Sequence, residues 1–329
     1  VTLFRPICST DPCRPDGALP LAGGWCWFAA AEVLEPGRRG PAVPARDLPA
    51  ELRDRLCAPR PALAGLALDR PRLMGILNVT PDSFSDGGRH LVPEAAVAAA
   101  RAMAADLVDV GGESTRPGAA EVPEAEEIAR VVPVVAALRG AAVSVDTRKA
   151  AVAAAALAAG AAVVNDVSAL THDPALAGVV ARAGVPVVLM HAQGTPATMQ
   201  DDPRYGDVVV EVYQWLEARI EAAVAAGIAR DRIVVDPGIG FGKTLAHNLA
   251  LVRGLSVFHG LGCPVLLGAS RKRFIGTLAA EPVADRRGPG SVAVALEAVA
   301  QGVQVLRVHD VGETRQALAV AAAIREARP

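Results

Sequence analysis

The stretch Leu73-Met74-Gly75-Ile76-Leu77-Asn78-Val79-Thr80-Pro81-Asp82-Ser83-Phe84-Ser85-Asp86-Gly87-Gly88 passes abruptly from a strand-like apolar run to a loop of oxygen-bearing and turn-forming residues. A parallel strand buried on both faces reads as a continuous hydrophobic run, not an alternation. Taken alone, Pro-Asp-Ser and Asp-Gly-Gly are ordinary turn formers. Repetition gives the stretch its meaning. Strand-like runs recur at about 107–112, 142–147, 162–167, 186–191, 232–236, 264–269 and 304–309, each ending in polar residues or glycine. Helical runs lie between and after them, for example at about 93–105, 123–139, 149–160, 207–227 and 312–327. Eight such units predict an α/β fold, a (β/α)8 TIM barrel, for which about 250 residues is the usual size. A doubly wound sheet also alternates strand and helix, but it gathers its site at one switch point. Polar groups after every strand favour the barrel, whose chemistry sits at the C-terminal ends of the strands.

Residues 1–70 break this rhythm. They are rich in Pro and Arg and hold Trp25 and Trp27, two of the three tryptophans. The sequence therefore divides into an N-terminal extension, 1–70, and a barrel, 71–329, with Pro59-Arg60-Pro61 near the junction. Trp25-Cys26-Trp27 reads as a packing anchor.

Composition narrows the function classes. The chain has 329 residues, is 52% hydrophobic but only 3% aromatic, and carries a net charge of −2, so no basic face for nucleic acid is expected. The run Ala150–Val164 is too short for a membrane span and is interrupted by Gly160. Residues 17–34 are apolar but lack a basic leader and are broken by Pro20, Gly23 and Gly24, unlike a signal peptide. Cys8, Cys13, Cys26 and Cys57 have no histidine at a zinc-ligand spacing. Reduced thiols in a cytoplasmic protein are expected.

The strand ends carry the candidate chemistry. Asn78, Asp82, Ser83, Ser85 and Asp86 offer oxygens suited to a hard cation such as Mg2+, which keeps waters and is shared with substrate phosphates. After the second strand, Thr115 and Arg116 suit an anion, while Asp109 is expected to hold loop amides from inside the barrel. In Val143-Ser144-Val145-Asp146, period two puts Asp146 on one face with Ser144. Asp146, Asn165 and Asp236 together suit a flat heterocycle with several N–H donors. Ser270-Arg271-Lys272-Arg273 follows the seventh strand. In the eighth, Arg307 and His309 share a face, a diphosphate clamp. The Gly-x-Gly-x-Gly of 238–242 is too common to signify a nucleotide and lacks the P-loop spacing.

Taken in order, Asn78 to Gly88, Gly111 to Gly118, Ser144 to Lys149, Asn165-Asp166, Met190 to Gly194, Asp236 to Lys243, Ser270-Arg271-Lys272 and Arg307 to Asp310 closely resemble the dihydropteroate synthases. The likeness runs from about residue 73 to 327 and leaves residues 1–70 outside. It implies condensation of (7,8-dihydropterin-6-yl)methyl diphosphate with 4-aminobenzoate, giving 7,8-dihydropteroate and diphosphate for folate synthesis. By the same resemblance, Asn78 would ligate Mg2+, joined by Asp86 on loop closure. Asp146, Asn165, Asp236 and Lys272 would hold the pterin beside Phe241, with Met190 beneath the ring. Thr115, Arg116, Arg307 and His309 would serve the diphosphate or the closing loops. Phe84 and Pro117 would shape the aminobenzoate subsite, where sulfonamides compete in this family. The resemblance also implies a homodimer formed through late helices.

The chemistry is coherent. Diphosphate leaves well only when its growing charge is neutralised, the work assigned to Mg2+, Arg307 and His309. The pterin methylene turns cationic, stabilised by its ring and by Asp146 foremost, and the aromatic amine attacks it directly. No enzyme nucleophile is needed, and Cys263 lies before a strand, away from its polar end. The catalytic set is therefore Asp146, Lys272, Arg307 and His309. Three positions depart from the family pattern: Ala192 where Met is common, Arg148 at a variable position, and Arg273 where some members have Ser. Two rival readings fit the motifs less well. A pterin-dependent methyltransferase leaves the diphosphate clamp with nothing to hold. A non-catalytic pterin-binding paralogue predicts loss of Asn78, Lys272, Arg307 or His309, and all four are present.

Overall fold

The computed structural model describes residues 1–80, 88–114, 121–194 and 198–327, with the backbone alone for 88–92. Four antiparallel strands come first, β1 (Leu3–Ser9), β2 (Leu19–Pro20), β3 (Trp27–Glu35) and β4 (Arg38–Pro44), followed by α1 (Ala50–Cys57). The barrel then runs β5 (Arg72–Asn78), α2 (Gly88–Met103), β6 (Leu107–Gly111), α3 (Glu124–Ala137), β7 (Val143–Asp146), α4 (Ala150–Ala159), β8 (Val163–Asp166), α5 (Leu176–Ala183), β9 (Val187–Met190) and α6 (Val208–Ala225). It ends with β10 (Ile233–Asp236), α7 (Leu245–Arg253), β11 (Leu266–Leu267), α8 (Arg273–Leu278), α9 (Gly288–Ala300), β12 (Val305–Val308) and α10 (Val311–Glu326).

The eight barrel strands pair in parallel in the order β10-β9-β8-β7-β6-β5-β12-β11. A single bridge, Val235 to Val265, joins the two ends and all but closes the ring. The α/β barrel expected from the repeats is what forms. The seventh strand is shorter than its apolar run, because Pro264 brings no N–H to its start and Gly268 ends it.

Alternation sorts the strand side chains into two populations. Val108, Val110, Val143, Val145, Val164, Leu189, Val235 and Leu306 belong to the core shared with the surrounding helices. Met74, Leu107, Val163, Val188, Val234, Leu266 and Val305, at the opposite parity and near the strands' N-terminal ends, form a separate apolar plug. Leu63 and Leu68 complete that plug, so the last residues before β5 cap the bottom of the barrel. Moving up each strand at the plug's parity leads to Asp109, Ser144, Asn165, Met190, Asp236 and Arg307. An apolar floor beneath a polar mouth follows from period two alone.

The N-terminal sheet has its own core of Leu21, Ala22, Cys26, Phe28, Ala31, Ala45, Leu48 and Leu56. It is fastened to the barrel by polar contacts of long sequence separation. Trp25 Nε1 donates to the Val299 carbonyl at 2.8 Å, Ser256 Oγ to the Pro6 carbonyl at 2.7 Å, and Arg60 Nη2 to the His259 carbonyl at 2.9 Å. Arg39 pairs with Asp207 at 2.8 Å, and Asp207 also caps α6 by accepting from Val209 and Val210 N–H.

Candidate active site

At the mouth, Arg307 from β12 lies between two carboxylates. Its Nε donates to Asp109 Oδ2 and its Nη2 to Asp146 Oδ2, both at 2.6 Å. Asn165 Nδ2 also donates to Asp109 Oδ2, at 2.9 Å. Asp109 therefore holds side chains, not the loop amides expected of it. Inside a barrel the nearest donors are those of neighbouring inward-facing residues. Asp109 is fully buried, and its Oδ1 has no partner among the described residues. Burial pushes the Asp146 carboxyl above its ordinary range, while the Arg307 guanidinium pulls the other way. Burial opposes the charge on Arg307, but Asp109 and Asp146 outweigh it and raise its pKa further. One cation shared by two carboxylates is a pre-organised arrangement, because each group would be costly to bury alone.

A second cluster stands beside the first. Asp236, 4% exposed at the end of β10, accepts from the Gly238 N–H at 2.7 Å. Burial raises its pKa, against the attraction of Lys272. Lys272 donates to the Ile239 carbonyl, and its Nζ lies 4.5 Å from the centre of the Phe241 ring. Burial draws Lys272 down to about 8, although Asp236 favours its charge. Gly268 borders this face, since a Cβ there would make an ordinary contact, 3.5 Å, with Asp236 Oδ2. Met190 is buried and inward-facing on the adjacent β9.

The remaining predicted residues fall into three groups. Asn78, at the end of β5, borders the first cluster, since a Cβ at Gly111 would lie 3.7 Å from Asp146 Oδ2 and 3.8 Å from Asn78 Oδ1. His309 is half-buried, and its Nδ1 lies 3.0 Å from Ser270 Oγ, which also accepts its backbone N–H. Phe84, Asp86, Thr115, Arg116 and Pro117 lie outside the described residues. The structure thus brings Asp146, Asn165 and Arg307 together through Asp109, with Asp236, Lys272 and Phe241 alongside. Arg273 is exposed at the start of α8.

Several supporting contacts escaped the sequence reading, although most of their residues stand within the motifs. Lys149 Nζ donates to Glu113 at 3.1 Å, Glu127 at 2.7 Å and the Val122 carbonyl at 2.6 Å. Arg148 also binds Glu113, at 3.1 Å, so the departure at that position ties the second loop to the third. Arg271 pairs with Asp310 and Asp285. Ser270 stands within the seventh motif, but its bond to His309 spans 39 residues and leaves no periodic signal. Among the described residues no group of three His, Cys, Asp or Glu side chains could hold a metal. No helix among them is long and apolar enough to cross a membrane. A cavity of about 470 Å³ lies elsewhere, between the extension and α10, lined by Trp25, Arg70, Leu318 and Arg325.

Comparison with known proteins gives this geometry a context. Residues 74–309 match the family model described as pterin binding enzyme. The dihydropteroate synthase of Escherichia coli K12 is 46% identical over 269 residues, covering 80% of this chain and 95% of that one. The Xanthomonas albilineans dihydropteroate synthase structure with 4-aminobenzoic acid aligns with a TM-score of 0.76 at 50% identity, over 82% of this chain and 99% of that one. A structure of the Xanthomonas albilineans enzyme in complex with 7,8-dihydropteroate aligns with a TM-score of 0.74 at 47% identity, over 82% and 100%.

Proposed function

The chain belongs to the pterin-binding enzymes, in the dihydropteroate synthase family, and from that premise we propose how its barrel mouth performs the family's reaction. The enzyme condenses (7,8-dihydropterin-6-yl)methyl diphosphate with 4-aminobenzoate to give 7,8-dihydropteroate and diphosphate. The observation that carries the residue assignments is the pair of adjoining clusters, one centred on Arg307 and one on Lys272 with Asp236.

Asp236 accepts from the pterin's amino and ring N–H groups, and Asn165 and Lys272 complete its edge, with Met190 beneath the ring. The C–O bond to the diphosphate then breaks, and its electron pair leaves with the diphosphate. Arg307 and His309 neutralise that growing charge. Asp146, buried beside Arg307, stabilises the positive charge left on the pterin methylene. The aminobenzoate nitrogen forms the new C–N bond with its lone pair and gives up a proton to solvent. The first two loops, which carry Phe84, Thr115, Arg116 and Pro117, seat the aminobenzoate and exclude competing water.

Mg2+ fits this donor set because it binds through one or two protein oxygens plus phosphates and water. Asn78 would hold it, joined by Asp86, and it would offset charge on the departing diphosphate. The five free cysteines support a cytoplasmic, reduced setting. Exposed Val320 and Ile324, four apart on α10, together with Leu278, support a homodimer through the late helices.

The decisive experiment is a coupled diphosphate assay. Diphosphate release should require 4-aminobenzoate and fall at least about tenfold when Mg2+ is chelated. Protein that binds both substrates yet releases no diphosphate would refute the assignment. A second outcome concerns pH. Lys272 is cationic below about 8, so kcat/KM for the pterin substrate should decline as pH rises through that value. Lys272→Arg should retain the cation and carry the decline to higher pH. An unchanged alkaline profile in that variant would show that another group titrates.

A further inference from the structure

The loop between β10 and α7, residues 237–244, is pinned from outside by three side chains. Asn248 Oδ1 accepts from the Gly240 N–H at 2.7 Å, and Gln200 Nε2 donates to the Gly240 carbonyl at 2.6 Å. The Tyr205 hydroxyl donates to the Gly242 carbonyl at 2.9 Å. Beneath the loop lies Lys243, only 3% exposed. Its Nζ is 2.9 Å from His191 Nδ1, 2.9 Å from the Phe241 carbonyl and 3.4 Å from the His191 carbonyl. The loop touches the segment after β9 so closely that a Cβ at Gly238, whose φ is +68°, would stand 1.8 Å from the His191 carbonyl oxygen. Lys243 therefore stitches two barrel loops together at their point of contact.

The upper side of the same loop faces the site. Ile239 offers its carbonyl to Lys272, Phe241 lays its ring beside Lys272 Nζ, and Gly238 donates to Asp236. We propose that Lys243, paired with His191, is a positioning residue for the pterin subsite, holding the 238–243 loop so that Lys272 and Asp236 keep their places. This rests on the reading in which Lys272 and Asp236 take the pterin.

The electrostatics of the pair match its enclosure. Burial and the charge of Lys272 push Lys243 well below its ordinary range. Burial, helped by Lys243, pushes His191 down to about 3. Lys243 Nζ meets three polar atoms, the carbonyls of Phe241 and His191 and the ring Nδ1, so its hydrogen-bonding positions are filled within the clamp. The T-shaped contact of His191 with Trp215, at 4.8 Å between ring centres, fixes the imidazole.

A double-mutant cycle tests the assignment. Calorimetric binding of (7,8-dihydropterin-6-yl)methyl diphosphate, without aminobenzoate, would be compared for the parent, Lys243→Met, Lys272→Ala and the double variant. Each single change should weaken binding roughly tenfold, and the double variant should be little weaker than the worse single one, because both act on one unit. In steady state, Lys243→Met should raise the pterin KM more than it lowers kcat. Full binding by Lys243→Met, or losses that multiply in the double variant, would overturn the proposal. Full binding by Lys272→Ala would overturn the subsite reading itself, a distinct outcome. If Lys243→Met does not fold, His191 supplies the test. Asparagine places an amide near Nδ1 and should stay within about threefold of the parent, whereas His191→Ala should lose about tenfold. Equal losses would overturn the clamp.

Discussion

Replacing Arg307 with alanine is expected to lower kcat/KM by about 10³-fold, the scale of losing a pre-organised charge from a reacting site. Arg273→Ala should change it by less than about threefold, since exposed substitutions away from a site are usually near neutral. The contrast follows from surroundings, not residue type. Arg307 is gripped at 2.6 Å by both Asp109 and Asp146, whereas Arg273 is exposed at the start of α8. Removing the guanidinium also strands two buried carboxylates, so the variant should lose about 3 kcal/mol of stability. Stability and catalysis can then be separated. Adding Asp109→Asn removes one stranded charge and should restore part of the stability without restoring turnover. Equal losses in Arg307→Ala and Arg273→Ala would show that the clamp is misassigned. Recovery of turnover in the double variant would show that Arg307 is only structural.

The barrel was legible in the sequence because burial on both faces leaves a strong trace. β6 to β10 are buried throughout, so Val, Ile and Leu dominate them, interrupted within β6 and β7 only by the inward-facing Asp109 and Ser144. Period two then placed Asp146 with Ser144, and Arg307 on the inward face of its strand. Partners were harder to read. Asp109 and Arg307 are 198 residues apart, and only ring closure through β5 and β12 brings them together. A lone aspartate on a strand therefore looked like a loop anchor. The pairing of Lys243 with His191, both within the motifs, escaped for a related reason, since it joins two irregular loops where no periodicity applies.

The N-terminal strands were hidden by local irregularity. The pairing of β1 with β3 shifts register between Pro6 and Cys8, and that of β3 with β4 between Glu32 and Leu34. A bulge inserts a residue and breaks the alternation on which strand recognition depends. β4 is also mostly exposed and interrupted by Gly40 and Pro41, so neither the hydrophobic nor the alternating pattern survives. What remained visible was the anchor. Trp25 and Cys26 pack against the barrel through the Val299 carbonyl, as a short aromatic cluster in a polar, proline-rich stretch would suggest.

Lys149→Met should be the most damaging change to stability outside the catalytic set, lowering it by about 3–5 kcal/mol near neutral pH. Lys149 is 4% exposed and neutralises two carboxylates, and Glu127, one of them, is fully buried with Oε1 unpartnered among the described residues. Methionine keeps the length of the side chain and removes the cation, so the loss is electrostatic and not a cavity effect. That makes it pH-dependent with a definite sign. Glu113 is held below its ordinary range, the bonds from Arg148, Val122 N–H and Lys149 outweighing its burial, so its stabilising contribution is present at neutral pH and fades in acid. Without Lys149, protonation relieves the stranded carboxylates, and the gap between variant and parent should narrow as pH falls toward about 4. Thermal midpoints would read this as a fall of several degrees at pH 7 and a smaller one in acid. Glu127→Gln added to Lys149→Met should recover part of the loss by removing the worst-placed charge. Because Glu113 also accepts the Val122 N–H at 2.8 Å, the parent network braces the far side of the segment that carries Thr115 and Arg116. A gap that stayed constant across pH would mean that packing, not charge, holds this corner of the mouth.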